Sequence, residues 1–347
     1  MKISTYLLLA AMLLGCSLFA QQSSTLSPLT LDVPPEKMVS FEDYELVSFA
    51  INEVLEVLAT GKPNTISFEL QSRDQILPFT LNAIDLRGPD YQLLEAGTGK
   101  QGKRHDRRPT RQFRGRLETQ LGGVAVFTLD DKYILGSWKD GDTMYHLEPL
   151  WQLWEEAPRD AYVIYTGDNV KEIPGFCGTE DVDGVNNKPS QAGNDKMDGC
   201  FEVDIALAAD FEMFQRFGDA ASVENFMLNT LANVQTNYDD EFDDELLFVV
   251  VATVIATSNA TDPWTNSTDG SNGLLPNFRS WGNQGGFGVN FDVATLWTDR
   301  NLDGSSIGWA YVGGVCNGNR YNICQRFTNN AAALRVLLAH ELGHNFG

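Results

Sequence analysis

The stretch His340-Glu341-Leu342-Gly343-His344-Asn345-Phe346-Gly347 carries the densest chemistry in the sequence. Side chains four residues apart share one face of a helix, so the imidazoles of His340 and His344 converge and can hold a single zinc ion. Glu341, beside the first imidazole, faces the ion's open position, where a carboxylate takes a proton from an activated water. The chain has only four histidines, and two fall here with Glu in the required slot. That economy argues against chance histidines on a leucine-rich helix. Residues 331–346 read as one helix, capped by Asn329 or Asn330.

Working outward, residues 200–347 change period in the manner of an α/β domain. Val203 to Ala209 reads as a buried strand, and Asp210 is placed to cap the helix after it. Phe214 to Tyr238 reads as a single helix. Leu246 to Ala256, Val293 to Thr298 and Ile307 to Val312 read as strands. Residues 41–172 instead alternate as a mostly antiparallel β domain, with strands at Thr65–Leu70, Gln112–Gln120, Gly123–Leu129, Lys132–Trp138 and Thr143–Leu147. The intervening residues 178–199 are rich in Gly, Asn, Asp and Lys and read as a linker, with Lys196-Met197 open to a processing protease.

The balance of 47 acidic to 25 basic residues gives a net charge of -22, which argues against nucleic acid or an anionic membrane as partner. The one basic cluster is Lys100 to Arg108. It reads as a solvated hairpin loop, with a protease-sensitive site or an electrostatic contact to the acidic second half as functional readings. Lys2 followed by the apolar run Tyr6–Gly15 reads as an export signal, too short to span a bilayer. Cleavage after Ala20 is favoured over lipidation at Cys16, because Leu14 is bulky for a lipobox. No later run is long and apolar enough to be transmembrane. Residues 21–40, rich in Ser, Thr, Pro and Gln, read as a short linker. Export places Cys177, Cys200, Cys316 and Cys324 where disulfides can form. Cys316 and Cys324 are near enough in sequence to pair, though spacing leaves the connectivity open. The string Asp299–Gly304 imitates an EF-hand start, but Ala310 stands at its twelfth position, so it reads as a turn. The sequons at Asn259 and Asn266 read as loop chemistry.

Gly347, three residues after His344, extends the pattern to H-E-x-x-H-x-x-G. Together with Ile307-Gly308-Trp309-Ala310-Tyr311-Val312-Gly313-Gly314-Val315-Cys316, it resembles the adamalysin–reprolysin branch of the metzincin zinc peptidases. The resemblance implies a metzincin-like α/β catalytic domain over 200–347, a mixed sheet with an active-site helix. It implies a mostly β prodomain over 41–177, supported by Phe113–Gly115 and His146–Leu150. Ile173-Pro174-Gly175-Phe176-Cys177-Gly178-Thr179 is similar to the cysteine switch of such zymogens, with the Cys177 thiolate on zinc; an ordinary disulfide cysteine is the alternative. The resemblance further implies a third zinc-binding His and a Met-turn beyond Gly347, calcium oxygens from Asp204 and Asp292, and an edge strand, Ile307 to Ala310, that aligns protein or peptide substrates. The expectation is an exported zinc metalloendopeptidase zymogen, with the chain as it stands a poor enzyme for want of that third His. Another exported metzincin, or a catalytically dead relative acting as a binding or adhesion module, is the alternative.

Overall fold

The fold is taken from a computed structural model that describes residues 26–49, 58, 64–72, 75–97, 102–171, 175–178, 201–242, 245–264 and 267–347. The export signal, Cys16, Cys200, Lys196-Met197, Asn266 and most of the 178–199 linker lie outside those residues. Among the described residues no helix is long and apolar enough to cross a membrane.

The N-terminal half supplies strands β1 (Leu26–Pro28), β2 (Glu45–Phe49), β3 (Thr65–Ser72), β4 (Gln75–Ile84), β5 (Arg87–Glu95), β6 (Arg104–His105), β7 (Gln112–Leu117), β8 (Gly122–Leu129), β9 (Ile134–Asp140), β10 (Thr143–Pro149), β11 (Ala161–Thr166) and β12 (Phe176–Cys177). Nine of them form one antiparallel sheet in the order β1-β2-β11-β10-β9-β8-β7-β4-β3. Alternation sends one side of each strand inward, where Phe68, Phe79, Phe127 and Trp138 pack ring on ring. Gly136 is required beside them, since a Cβ there would stand 2.4 Å from the Phe127 ring.

The second half supplies β13 (Phe201–Ala209), α1 (Phe211–Phe217), α2 (Ala220–Phe242), β14 (Leu246–Ile255), α3 (Leu275–Asn283), β15 (Val293–Thr298), β16 (Ser306–Ala310), β17 (Tyr321–Gln325) and α4 (Ala331–Phe346). Its sheet runs β12-β16-β17-β15-β13-β14-β5-β6. It is parallel from β17 through β5, while β16 is antiparallel to β17. Near-continuous apolar strands are what a sheet covered on both faces needs. Ile205 and Leu207 face α2 and α4, in a core with Phe226, Leu231, Leu338 and Leu342. Ala206 and Ala208 face the other way, toward Trp264, Leu275 and Phe278.

The single helix expected over 214–238 is two. Gly218 adopts the left-handed conformation (φ +82°) and ends α1, and the Asp219 carboxylate accepts from the Ser222 N–H at 2.7 Å to restart the chain as α2. The expected caps are present: Asp210 accepts from the Met213 N–H at 3.0 Å and Asn330 from the Ala333 N–H at 2.9 Å. The strand expected to reach Val312 stops at Ala310, ahead of Gly313 at φ +65°.

The larger correction concerns the two halves. β5, β6 and β12 come from the N-terminal half but belong to the second sheet. Within the basic cluster Lys103, Arg104 and Arg107 are exposed, Arg107 pairing with Asp85 at 2.9 Å, while Arg108 makes the electrostatic contact to the second half, with the buried Glu224 at 2.8 Å. α2 also turns a polar, buried face to the first sheet, where Asn225 donates to Asp130 at 2.7 Å and Thr128 to Asn229 at 2.7 Å.

Replacing Gly218 tests the helix break. Gly218→Ala forces a Cβ into the left-handed region and is expected to cost about 1 kcal/mol of unfolding free energy in urea titrations.

Candidate metal centre

Two elements build the site. α4 projects His340 and His344 from one face, with ring centroids 4.5 Å apart and Nε2 atoms 2.9 Å apart. β12 brings Cys177 over them, its Sγ 3.4 Å from His344 Nε2. The three ligand atoms all lie within 4.8 Å of one another, the one such metal-sized group among the described residues.

Tetrahedral zinc with Zn–N near 2.05 Å and Zn–S near 2.3 Å would separate two nitrogens by roughly 3.3 Å and nitrogen from sulfur by roughly 3.6 Å. The observed separations sit close to both, and thiol plus two imidazoles is a donor set that zinc favours. Burial and the neighbouring His340 both lower the pKa of His344, which keeps its ring in the neutral form that a metal needs. The residues therefore fit the ion.

The helix is held in place from several sides. Asn345 is fully buried, accepts from the Asn322 amide at 2.7 Å and donates to the Tyr311 and Tyr321 carbonyls at 3.0 and 3.2 Å. The Gly313 N–H caps the His344 carbonyl at 2.8 Å. At the other end Glu148, from β10, accepts from the Ala331 N–H at 2.8 Å and from the Tyr165 hydroxyl. A residue of the N-terminal half thus satisfies one of the orphan N–H groups of the active-site helix. Nothing in the sequence around Glu148 signals that role, because cap and helix are 183 residues apart.

Glu341 is fully buried, and its oxygens lie against β16, where a Cβ on Gly308 would stand 2.3 Å from Oε1. Among the described residues neither oxygen has a nitrogen or oxygen donor. Burial pushes its carboxyl up to about 8, while the adjacent Cys177 thiol pulls the other way. Gly308 thus matters for a reason beyond its expected place on the substrate strand: only glycine lets the carboxylate approach.

The expected substrate strand, Ile307 to Ala310, lies in β16, the second strand from the sheet edge. Its outer side is covered by β12 running parallel to it, with Cys177 in register with Gly308 and the Gly178 N–H donating to the Gly308 carbonyl at 3.0 Å. Gly175 and Gly178 flank the cysteine because Ile307 and Trp309 press on them: Cβ atoms there would fall 2.9 Å and 2.0 Å from those side chains. Asp204 and Asp292 meet as expected, the Asp204 N–H donating to Asp292 Oδ2 at 2.9 Å. No third acidic ligand joins them among the described residues, so the calcium reading gains no support. Cys177, Cys316 and Cys324 are not in disulfides. β17 carries Cys324 into the core, while Cys316 is exposed beside Asp292, so the two do not pair. The Asp299–Gly304 string is a turn, as expected, and its Arg300 is buried against Asp262 at 2.6 Å and Glu212 at 3.1 Å.

A mixed sheet, an H-E-x-x-H helix and a thiol over its imidazoles define a metallopeptidase domain of the zinc-binding class. Residues 201–347 match the family model Reprolysin_5, metallo-peptidase family M12. Through this domain the chain is similar to the adamalysin–reprolysin family of metzincins. It is similar to a zinc metalloproteinase/disintegrin of Bitis gabonica, 47% identical over 57 residues that cover 16% of this chain and 18% of that one. It is also similar to the zinc metalloproteinase-disintegrin-like atrase-A of Naja atra, 25% identical over 247 residues, 68% of this chain and 39% of that one. The chain therefore spans less than half the length of these curated relatives. Metalloproteinase-II from Bacteroides fragilis aligns with a TM-score of 0.48 and 14% identity over 85% of this chain and 84% of that one.

The cap at Glu148 sets a pH dependence. Burial raises its carboxyl to about 7 from 4.5. A raised acid contributes stability that is fully present below pH 4.5 and lost as pH rises through about 7. Glu148→Gln stays neutral throughout, so wild type should lose up to about 3 kcal/mol more than this variant between pH 4.5 and 8. Urea unfolding at several pH values measures the difference.

Proposed function

We propose that residues 200–347 are the catalytic part of a zinc metalloendopeptidase and that residues 41–177 hold it latent as a prodomain. One observation carries this reading: Cys177 Sγ lies 3.4 Å from His344 Nε2 while its own strand covers the outer edge of β16. The one segment thus takes both the metal-facing position and the strand along which an extended peptide would pair.

His340, His344 and, in the latent form, Cys177 would hold the ion. Zinc bound there supplies Lewis acidity, acidifying water and polarising a peptide carbonyl. With β12 withdrawn, Gly308 and Ala310 offer backbone groups that orient an extended substrate. Glu341, held against Gly308, accepts a proton from the attacking water and returns it to the leaving amine. Protein or peptide substrates, export through the 1–20 signal, and processing within 178–199 belong to the same reading. Asn330, Asn345 and Glu148 are positioning residues, since they touch the helix and not the reacting atoms.

Metal binding by the intact chain tests the site. One zinc per chain is expected, with Cys177 protected from alkylation until a chelator is added. Cys177→Ser should weaken zinc binding by about 10- to 100-fold. An alkylation rate indifferent to zinc would remove Cys177 from the site. In a longer chain that carries the expected third His, with the N-terminal half removed, Glu341→Gln should retain zinc in equal amount but lower peptide hydrolysis by about 10²-fold or more. Substantial hydrolysis by that variant would take Glu341 out of the mechanism.

A further inference from the structure

β5 pairs in parallel with β14, although it belongs to the N-terminal half of the chain. The Val250 N–H donates to the Leu86 carbonyl at 2.7 Å, and the Ala96 N–H donates to the Ile255 carbonyl at 2.8 Å. Both faces of the strand are built into the second domain. Tyr91 and Leu93 join the core of Val203, Phe248 and Val250. Leu94 and Ala96 join the opposite core, with Ala252 and Val254.

Glu224 lies on α2 behind this ladder, its side chain 2% exposed. Arg87 Nη1 donates to it at 3.1 Å, the Tyr91 hydroxyl at 2.8 Å and Arg108 Nη2 at 2.8 Å. All three donors come from residues 87–108. Arg87 is itself oriented by Asp85, whose Oδ1 accepts from its Nε at 2.7 Å. Without this segment β14 would be a bare, valine-rich edge strand, which binds other strands, and Glu224 would lose its donors. Strand pairing supplies adhesion, and the carboxylate selects an arginine in register with Val250.

We propose that the β14 edge and Glu224 form a strand-docking site, separate from Cys177, for an extended arginine-bearing segment. Residues 85–97 and 102–108 fill it in this chain and keep the N-terminal segment bound after a cut within residues 179–200. The inference rests on reading that segment as a removable inhibitor. Its test needs no peptidase activity, so an inactive chain would leave it readable.

The experiment places a specific protease site within residues 179–200, in wild type and in Cys177→Ser, and follows the cut protein by size-exclusion chromatography. Both cut proteins should elute as one complex, with the Val250 amide still protected from hydrogen exchange. Separation of the fragments, or rapid exchange at Val250 after cutting, would overturn the proposal. In the Cys177→Ser background, Arg87→Ala with Arg108→Ala should leave the uncut chain folded but speed fragment release at least tenfold. Release as slow as in the parent would also overturn it. Where that double variant does not fold, Tyr91→Phe with Glu224→Gln is the gentler pair, with the same faster release expected and the same slow release counting against the clasp.

Discussion

The approach of Glu341 to Gly308 constrains the rest of the second domain. A carboxylate can sit fully buried against a backbone strand only where that strand has no side chain in the way. With that distance set, α4 can lie close under β16, and the orientation of its neighbours is set too: His340 and His344 emerge toward the edge, and Asn345 turns inward to bridge Asn322 and the Tyr311 and Tyr321 carbonyls. A buried amide making three such bonds admits one rotation of the helix, because any other would leave its polar atoms unpaired. The metal-facing geometry is thus held by groups that never touch the metal.

The two halves of the chain are joined by four kinds of contact that differ in chemistry. At Cys177 the contact is a short strand and a thiol over two imidazoles. At Glu148 it is a hydrogen bond to the start of the active-site helix. Along α2 it is a polar face met by the first sheet, where Asn225 donates to Asp130 and Asn229 accepts from Thr128. Polar interfaces of this kind lose less on parting than apolar ones, since water can satisfy the same groups. β5 is the exception: its side chains enter both apolar cores of the second domain, so it is bound as core and not as surface.

Much of the second domain was legible because its signals are local. Apolar runs without alternation mark strands covered on both faces, and β13, β14 and β15 lie within a residue or two of where the pattern puts them. Asp210 and Asn330 cap helices by bonding three residues ahead, a relation visible in the order of residues. The H-E-x-x-H pair works the same way. β5 was missed because Gly88 and Pro89 read as turn punctuation, and because a strand's partner is set by tertiary position. The break between α1 and α2 was missed because the apolar period runs through it, although Gly218 was its available sign.

By itself the sequence determined the helix that carries His340, Glu341 and His344 and the strands that bury their neighbours, while Cys177 became a candidate ligand only through the resemblance of residues 173–179 to a cysteine switch. The helix and strands come from spacing along one element, where the chain fixes distance. Only the tertiary structure decided that Cys177 lies over the imidazoles, that Gly308 makes room for Glu341, that Glu148 caps a helix 183 residues away, and that residues 87–95 complete the second sheet. Each of those joins groups far apart in sequence, and their meeting depends on how whole sheets and helices pack, which no local spacing encodes.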